Sequence, residues 1–246
     1  VSALARLTAT ETKLFFREPI MAFFALAFPP ILLVVFGLIP AMREPDPDLG
    51  GLRAINAYVP IIIAMTLALF ALTSLSQLFA TYREKGVLRR MRTTPVKPWV
   101  MLGAQLLMAT ILSLATTLVV LAIGRLALDV NLPLRLPAYL ISYVLAALAM
   151  FAVGLLVASL APTGKSASAI GTLVFFPIVF FAGLWLPRAG MNDVLRTISD
   201  FTPLGAGVQS LQDSTAGQWP QPLHVAVMLG WTIVAGGLAA RYFRWE

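Results

Sequence analysis

One histidine, no cysteine and eleven carboxylates set narrow limits on the bond-making chemistry open to this 246-residue sequence. Without cysteine there are no disulfides, thiolate metal sites or thiol nucleophiles. The HExxH and GxSxG patterns are absent, and no aspartate pair falls inside an apolar run. A phosphate-cradling GxxxxGK[ST] loop is approached only at Gly164-Lys165-Ser166, which lacks the glycine five residues earlier. The chain is therefore read as having no catalytic residues, no metal and no cofactor of its own, and as not hydrolysing ATP. His224 precedes the last apolar run and reads as an interfacial residue rather than a ligand.

What remains is chemistry of position. Arg83, Glu84, Lys85, Gly86, Val87, Leu88, Arg89, Arg90, Met91 and Arg92 form a basic run in which Val87, Leu88 and Met91 share a short apolar face. The helical pattern from Arg83 to Thr93 stops before Pro95, because the residue preceding a proline is pushed out of the helical region. Such a helix can enter a partner's groove with its apolar face while its charges fix register. A basic loop resting on lipid explains the composition equally well. A second segment, 191–212, places Val194, Leu195, Ile198 and Phe201 at helical spacing ahead of Pro203. It predicts two short amphipathic helices that partly re-enter a membrane leaflet.

These segments are positioned by apolar elements. Hydrophobic residues make up 59% of the chain and charged ones only 12%, against roughly 45–50% and 25% in soluble domains. That apolar excess needs lipid as part of the solvent. Runs long enough to span occur at about 20–40, 58–80, 99–124, 137–161, 167–187 and 223–241. Backbone groups in lipid must be satisfied internally, so these are predicted helices, and the chain an all-α membrane protein. The start, 1–18, has amphipathic spacing with Leu4, Leu7, Leu14 and Phe15 on one side, and predicts a helix lying at the membrane surface. The run at 20–40 exceeds a signal-peptide core and reads as a retained first span.

With the N-terminus inside, the inner connections hold twelve Lys and Arg and the outer ones six. This bias predicts both termini in the cytoplasm, with 82–98 as the inner anchor and 187–222 outside. The pI near 10.2 fits basic loops against anionic lipid, and no nucleic-acid partner is expected. Pro29, Pro30 and Pro177 predict kinks. Span centres lack ionisable residues, which disfavours an ion-coupled carrier. Thr66, Thr73 and Gln77 recur on one face of the second span, and Thr110, Ser113 and Thr117 on one face of the third. Interhelical hydrogen bonding accounts for them. A pathway for an amphiphilic substrate, with Phe176 and Phe180, is the functional alternative. Gly154-x-x-x-Ala158 and Ala167-x-x-x-Gly171 fit close helix packing.

The stretch Glu84-x-Gly86-x-Leu88, leading into Thr94-Pro95-Val96, resembles the cytoplasmic coupling-helix segment of ABC-2 type permeases, notably those of the daunorubicin-resistance type. Val87 and Arg89 depart from the family's more usual Thr and Glu. Arg17-Glu18-Pro19, Phe28-Pro29 and Phe36-Gly37 are similar to the family's approach to its first span. Phe201-Thr202-Pro203-Leu204 looks like its outer re-entrant signature. The resemblance implies a single transmembrane domain over 1–246, a permease subunit of an exporter in the cytoplasmic (inner) membrane. It implies pairing with a second permease chain, identical or related, and with two copies of a separate ABC ATPase subunit that carry the ATP and magnesium. Residues 83–92 would then be the ATPase-docking helix, and the cargo an amphiphilic drug, antibiotic or lipid. An ion-coupled secondary carrier and a non-transporting membrane assembly subunit are the alternatives.

Overall fold

A computed structural model describes residues 3–46, 51–87, 90 and 98–242. Among these residues six helices are long and apolar enough to cross a membrane, in line with the all-α expectation. They are Pro19–Gly37, Ala54–Glu84, Trp99–Leu128, Leu136–Leu160, Gly164–Phe181 and Pro222–Tyr242, here spans one to six. A two-residue antiparallel ladder, Pro45–Asp46 against Leu52–Arg53, is the only strand pairing among the described residues.

The spans differ from the apolar runs at their ends for identifiable reasons. Span two begins at Ala54 rather than 58 and continues to Glu84, because polar residues at a membrane edge do not break a helix. Span three runs four residues beyond its apolar stretch, to Leu128, where Asp129 takes a positive φ of 49° and the Val130 N–H returns to the Gly124 carbonyl. Span five stops at Phe181, not 187. There Gly183 takes a positive φ and the Leu184 N–H bonds back to Val179.

Span two is the axis of the bundle. Within its most apolar stretch 89% of residues are buried, against 22% in spans five and six. It packs on spans one and three with its first half and on spans four and five with its second, while span six lies along span four. The outward faces carry Ile20, Leu118, Leu173 and Ile233, all strongly exposed. An apolar exterior on that scale matches hydrocarbon rather than water.

Among the described residues, two π-turns interrupt the helices. In span one, Pro29 and Pro30 supply no N–H to the preceding turn, and residues Phe23–Ala27 widen so that Phe28 donates to Phe23. The departure from regular helix expected at these prolines is a π-turn. In span two, Phe70–Leu75 widens likewise and the Ser76 N–H reaches the Ala71 carbonyl. No proline lies there. The inserted residue shifts the helical register between Thr66, before the turn, and Gln77, after it.

The N-terminal helix, Ala3–Phe16, packs on span three and buries Thr8, Glu11 and Phe15. Phe15 stacks on Phe70 with centroids 5.9 Å apart. Leu14, expected on the same side, is instead 38% exposed. Between spans five and six, a helix Asp193–Phe201 and a second, Pro203–Thr215, meet at Thr202.

Candidate coupling site

The end of the bundle that bears the N-terminal helix and the 85–97 connection is the basic end. Span two arrives there as the α-helical stretch Ser76–Glu84 and breaks at Lys85–Gly86. Gly86 has φ +65°, a conformation that favours glycine. After it Val87 is helical and the Arg90 N–H bonds to the Gly86 carbonyl at 3.1 Å, beginning a new turn. Leu88, Arg89, Met91 and Arg92 of the expected docking helix lie outside the described residues. The expectation of one helix from Arg83 is corrected: Arg83 and Glu84 end span two, and Lys85–Gly86 is the joint.

Both residues face another part of the chain. The Arg83 guanidinium donates to the carbonyls of Ser159 (3.3 Å) and Ala161, where span four ends. Glu84 Oε2 accepts the Gly164 N–H at 2.9 Å, where span five begins. A carboxylate at a helix N-terminus satisfies an orphan donor and meets the positive end of the dipole. Thr163 and Ser166 complete a reciprocal capping box on the same terminus. The turn that resembled half a phosphate loop, Gly164-Lys165-Ser166, is therefore a helix start clamped by Glu84. Span two and the four–five turn are bolted together directly beside the basic connection.

A second bolt holds the N-terminal helix. The Tyr82 hydroxyl donates to Glu11 Oε2 at 2.7 Å. Glu11 is only 4% exposed. Its burial pushes its pKa above the ordinary value, and hydrogen bonding only partly offsets this. The folded state therefore holds its proton more tightly than the unfolded one. Stability from this group is fully present below about pH 4.5 and is lost as pH rises through the raised folded value. We expect Glu11→Gln, which keeps an acceptor for Tyr82, to raise Tm at pH 7.5 by a few degrees. At pH 4 it should leave Tm unchanged, as differential scanning fluorimetry in detergent would record. A lower Tm at pH 7.5 would show that the charge itself is needed.

Of the residues considered for a substrate pathway, Thr66, Thr73 and Gln77 lie on span two and Phe176 and Phe180 on span five. Thr66 is fully buried and its hydroxyl donates to the Ile62 carbonyl of its own helix at 2.9 Å. Thr73 does the same to Leu69 at 2.6 Å, and with Gln77 is half-buried. Thr73 itself lies within the π-turn Phe70–Leu75. Thr110 is exposed and donates to Leu106, whereas Ser113 accepts from the Tyr143 hydroxyl at 3.0 Å, a true bond between spans three and four. Phe176 is exposed and stacks on Trp185, and Phe180 packs edge-on against Phe181.

The glycines fare differently. A Cβ on Gly154 would stand 2.3 Å from the Ala71 carbonyl oxygen, and one on Gly171 would stand 2.1 Å from that of Leu72. Both carbonyls belong to the π-turn of span two. Spans four and five thus touch its backbone at the point where that helix departs from regular geometry.

The opposite, far end contains a cluster that no sequence spacing signalled. Arg188 meets Asp200 at 2.6 Å, and His224 Nε2 lies 3.0 Å from the same carboxylate. His224 stands at the start of span six, as expected, and is buried against the protein. Burial opposes ionisation of Asp200, but the hydrogen bonds and charges of Arg188 and His224 prevail and lower its pKa. Ser199 donates to the Phe181 carbonyl at 2.6 Å and Trp231 to that of Phe201 at 2.9 Å, tying Asp193–Phe201 to spans five and six. Thr202 caps the following helix by accepting the Gly205 N–H, and Pro203 takes its first position. Phe201 is exposed and Leu204 buried. Among the described residues no group of His, Asp and Glu is arranged to hold a metal.

Residues 2–215 match the family model of the ABC-2 type transporters. Among curated proteins the chain is similar to "Probable multidrug ABC transporter permease YbhR" of Escherichia coli (strain K12), with 30% identity over 149 residues. The protein of the same description from Escherichia coli O157:H7 matches to the same extent. The alignment takes in 59% of this chain and 40% of each relative, so the chain spans well under two thirds of their length.

Proposed function

The chain belongs to the ABC-2 type transporter family, and from that premise we propose that it is the membrane-spanning permease subunit of an ATP-driven exporter. Its cargo is an amphiphilic molecule, a drug, antibiotic or lipid, moved across the cytoplasmic membrane. ATP and magnesium sit on two copies of a separate ATPase subunit, and a second permease chain, identical or related, completes the complex. The basic end is cytoplasmic, as the excess of Lys and Arg there favours.

The observation that carries this reading is the bolt at Arg83 and Glu84. In the proposed cycle the ATPase contacts residues 86–92 differently in its two nucleotide states, since only differential affinity shifts an equilibrium. Displacement of that segment pulls on span two. The bonds to Ser159, Ala161 and Gly164 pass the motion to spans four and five. Ionisable residues are absent from the span centres, which supports an energy source outside the chain and an apolar-compatible cargo.

The test is ATP-dependent accumulation of fluorescent amphiphiles in inverted membrane vesicles holding this chain and a neighbouring ATPase gene product. Accumulation that needs both subunits and ATP, and that persists without an ion gradient, is the expected result. Transport that follows an ion gradient and ignores ATP would replace this reading with the secondary carrier. Transport confined to strongly charged, membrane-insoluble cargo would overturn the amphiphile assignment.

A further inference from the structure

A cavity of about 1150 Å³ lies at the far end, between the start of span two, the 125–134 connection, the 187–189 turn and the helix Pro203–Thr215. The volume admits a drug-sized or larger ligand. Leu52, Leu132 and Leu134 supply apolar wall, and Arg125, Arg188 and Arg196 supply three cations.

The carboxylates that meet these arginines stand outside the lining. Asp129 pairs with Arg125 at 2.8 Å and Asp200 with Arg188 at 2.6 Å, and neither acid lines the cavity. Each pair thus offers the cavity its positive member. Arg196 is held differently. It donates to the neutral carbonyls of Arg188 and Ala189 at 3.1 and 3.0 Å, which fix the guanidinium and leave its charge. Asp193 lies 4.0 Å from it with a fully exposed side chain. Asp213 is the one acid of the lining among the described residues, and it is withdrawn. Its Oδ2 is buried from the cavity as well as from solvent, and the carboxylate accepts the Gln221 N–H. The wall amides add donors. Asn56 Oδ1 accepts the Asn131 N–H at 3.2 Å, so the oxygen of that side chain is engaged and its amide N–H groups remain. A lining of cations and N–H donors whose acid is shut away suits an anion, which arginine meets with paired N–H bonds.

We propose that this cavity binds the anionic head of an amphiphile, a phosphate or carboxylate, at Arg125 and Arg196, with the tail against Leu52, Leu132 and Leu134. Its place at the far end is the exit side of the exporter proposed above, and in that respect it rests on that reading. Cargo and an anionic phospholipid present the same head chemistry.

The full chain, reconstituted alone in phosphatidylcholine nanodiscs, is titrated with a fluorescent long-chain alkyl phosphate and with the matching alcohol. Empty nanodiscs give the background. The phosphate should bind about tenfold more tightly than the alcohol. Arg125→Gln/Arg196→Gln should abolish that preference while alcohol binding stays unchanged, and Arg125→Lys/Arg196→Lys should restore most of it. Arg135→Gln removes the same charge from the far end outside the lining, where Arg135 stacks on Trp219, and should leave the preference intact. Arg125→Gln alone breaks only an exposed ion pair of little worth to stability, so it serves if the double variant does not fold, and should lower the preference severalfold. Equal affinity for the two probes in the unsubstituted chain, a preference untouched by Arg125→Gln or by the double variant, or one lost equally in Arg135→Gln would overturn the site. Displacement of the alkyl phosphate by added phosphatidylglycerol assigns the site to lipid, and its absence to cargo. The measurement needs no ATPase, so it can fail while ATP-driven transport stands, and succeed where transport fails.

Discussion

Gly154→Ala and Gly171→Ala should each lower the stability of the purified chain by about 2–3 kcal/mol, a large share of what holds a domain folded. The added methyl of either variant meets a carbonyl oxygen of span two at 2.3 or 2.1 Å. Backbone cannot swing aside as a flexible side-chain end can, so whole helices must separate. That removes dispersion contacts along spans four and five, and in lipid no compensating hydrophobic force draws them back. Gly237→Ala is the matched control, because a Cβ there meets nothing within 4 Å. Thermal unfolding in detergent should show a fall in Tm of many degrees for the first two and none for the third. Equal behaviour of all three would mean that the bundle yields at the π-turn.

Glu84→Ala and Arg83→Ala should uncouple the proposed exporter rather than disassemble it. The Glu84 side chain is largely exposed, so its loss should cost little stability once solvent screening is counted. What is lost is the fixed relation between span two and the 159–164 turn. Coupling free energies between sites of about 1–3 kcal/mol correspond to roughly 5–150-fold effects. Transport should therefore fall about tenfold or more in either variant, with the ATPase still bound. Glu84→Gln, which keeps an acceptor for the Gly164 N–H, should retain more transport than Glu84→Ala. Equal loss in both would assign the effect to charge rather than to the cap.

The six spans were legible because twenty-residue apolar runs have few other uses, and the proline at 203 marked the division of the far-end helices. Other features could not be read. The π-turn at Phe70–Leu75 contains no proline, and its hydroxyls at Thr73, Ser74 and Ser76 are ordinary in a membrane helix. Nothing in the local spacing around Glu11 signals its burial; the fold sets Tyr82 beside it. Arg188, Asp200 and His224 lie on three elements, and no periodicity relates them. The Glu84-x-Gly86 motif is visible in the sequence, but its pattern predicts one helix through both residues. The positive φ at Gly86 and the cap on Gly164 are tertiary facts that assign its two halves to different tasks.

The most direct test of this division of labour is co-purification with the ATPase from membranes that express both. The comparison is the unsubstituted chain, a Leu88→Asp/Met91→Asp variant and Glu84→Ala, each checked for an intact membrane fold. The account predicts that the first and third retain the ATPase, that the second loses it, and that Glu84→Ala binds without supporting transport. An unsubstituted chain that never retains an ATPase would contradict the exporter reading. Release of the ATPase by Glu84→Ala alone would place docking, not transmission, at the end of span two.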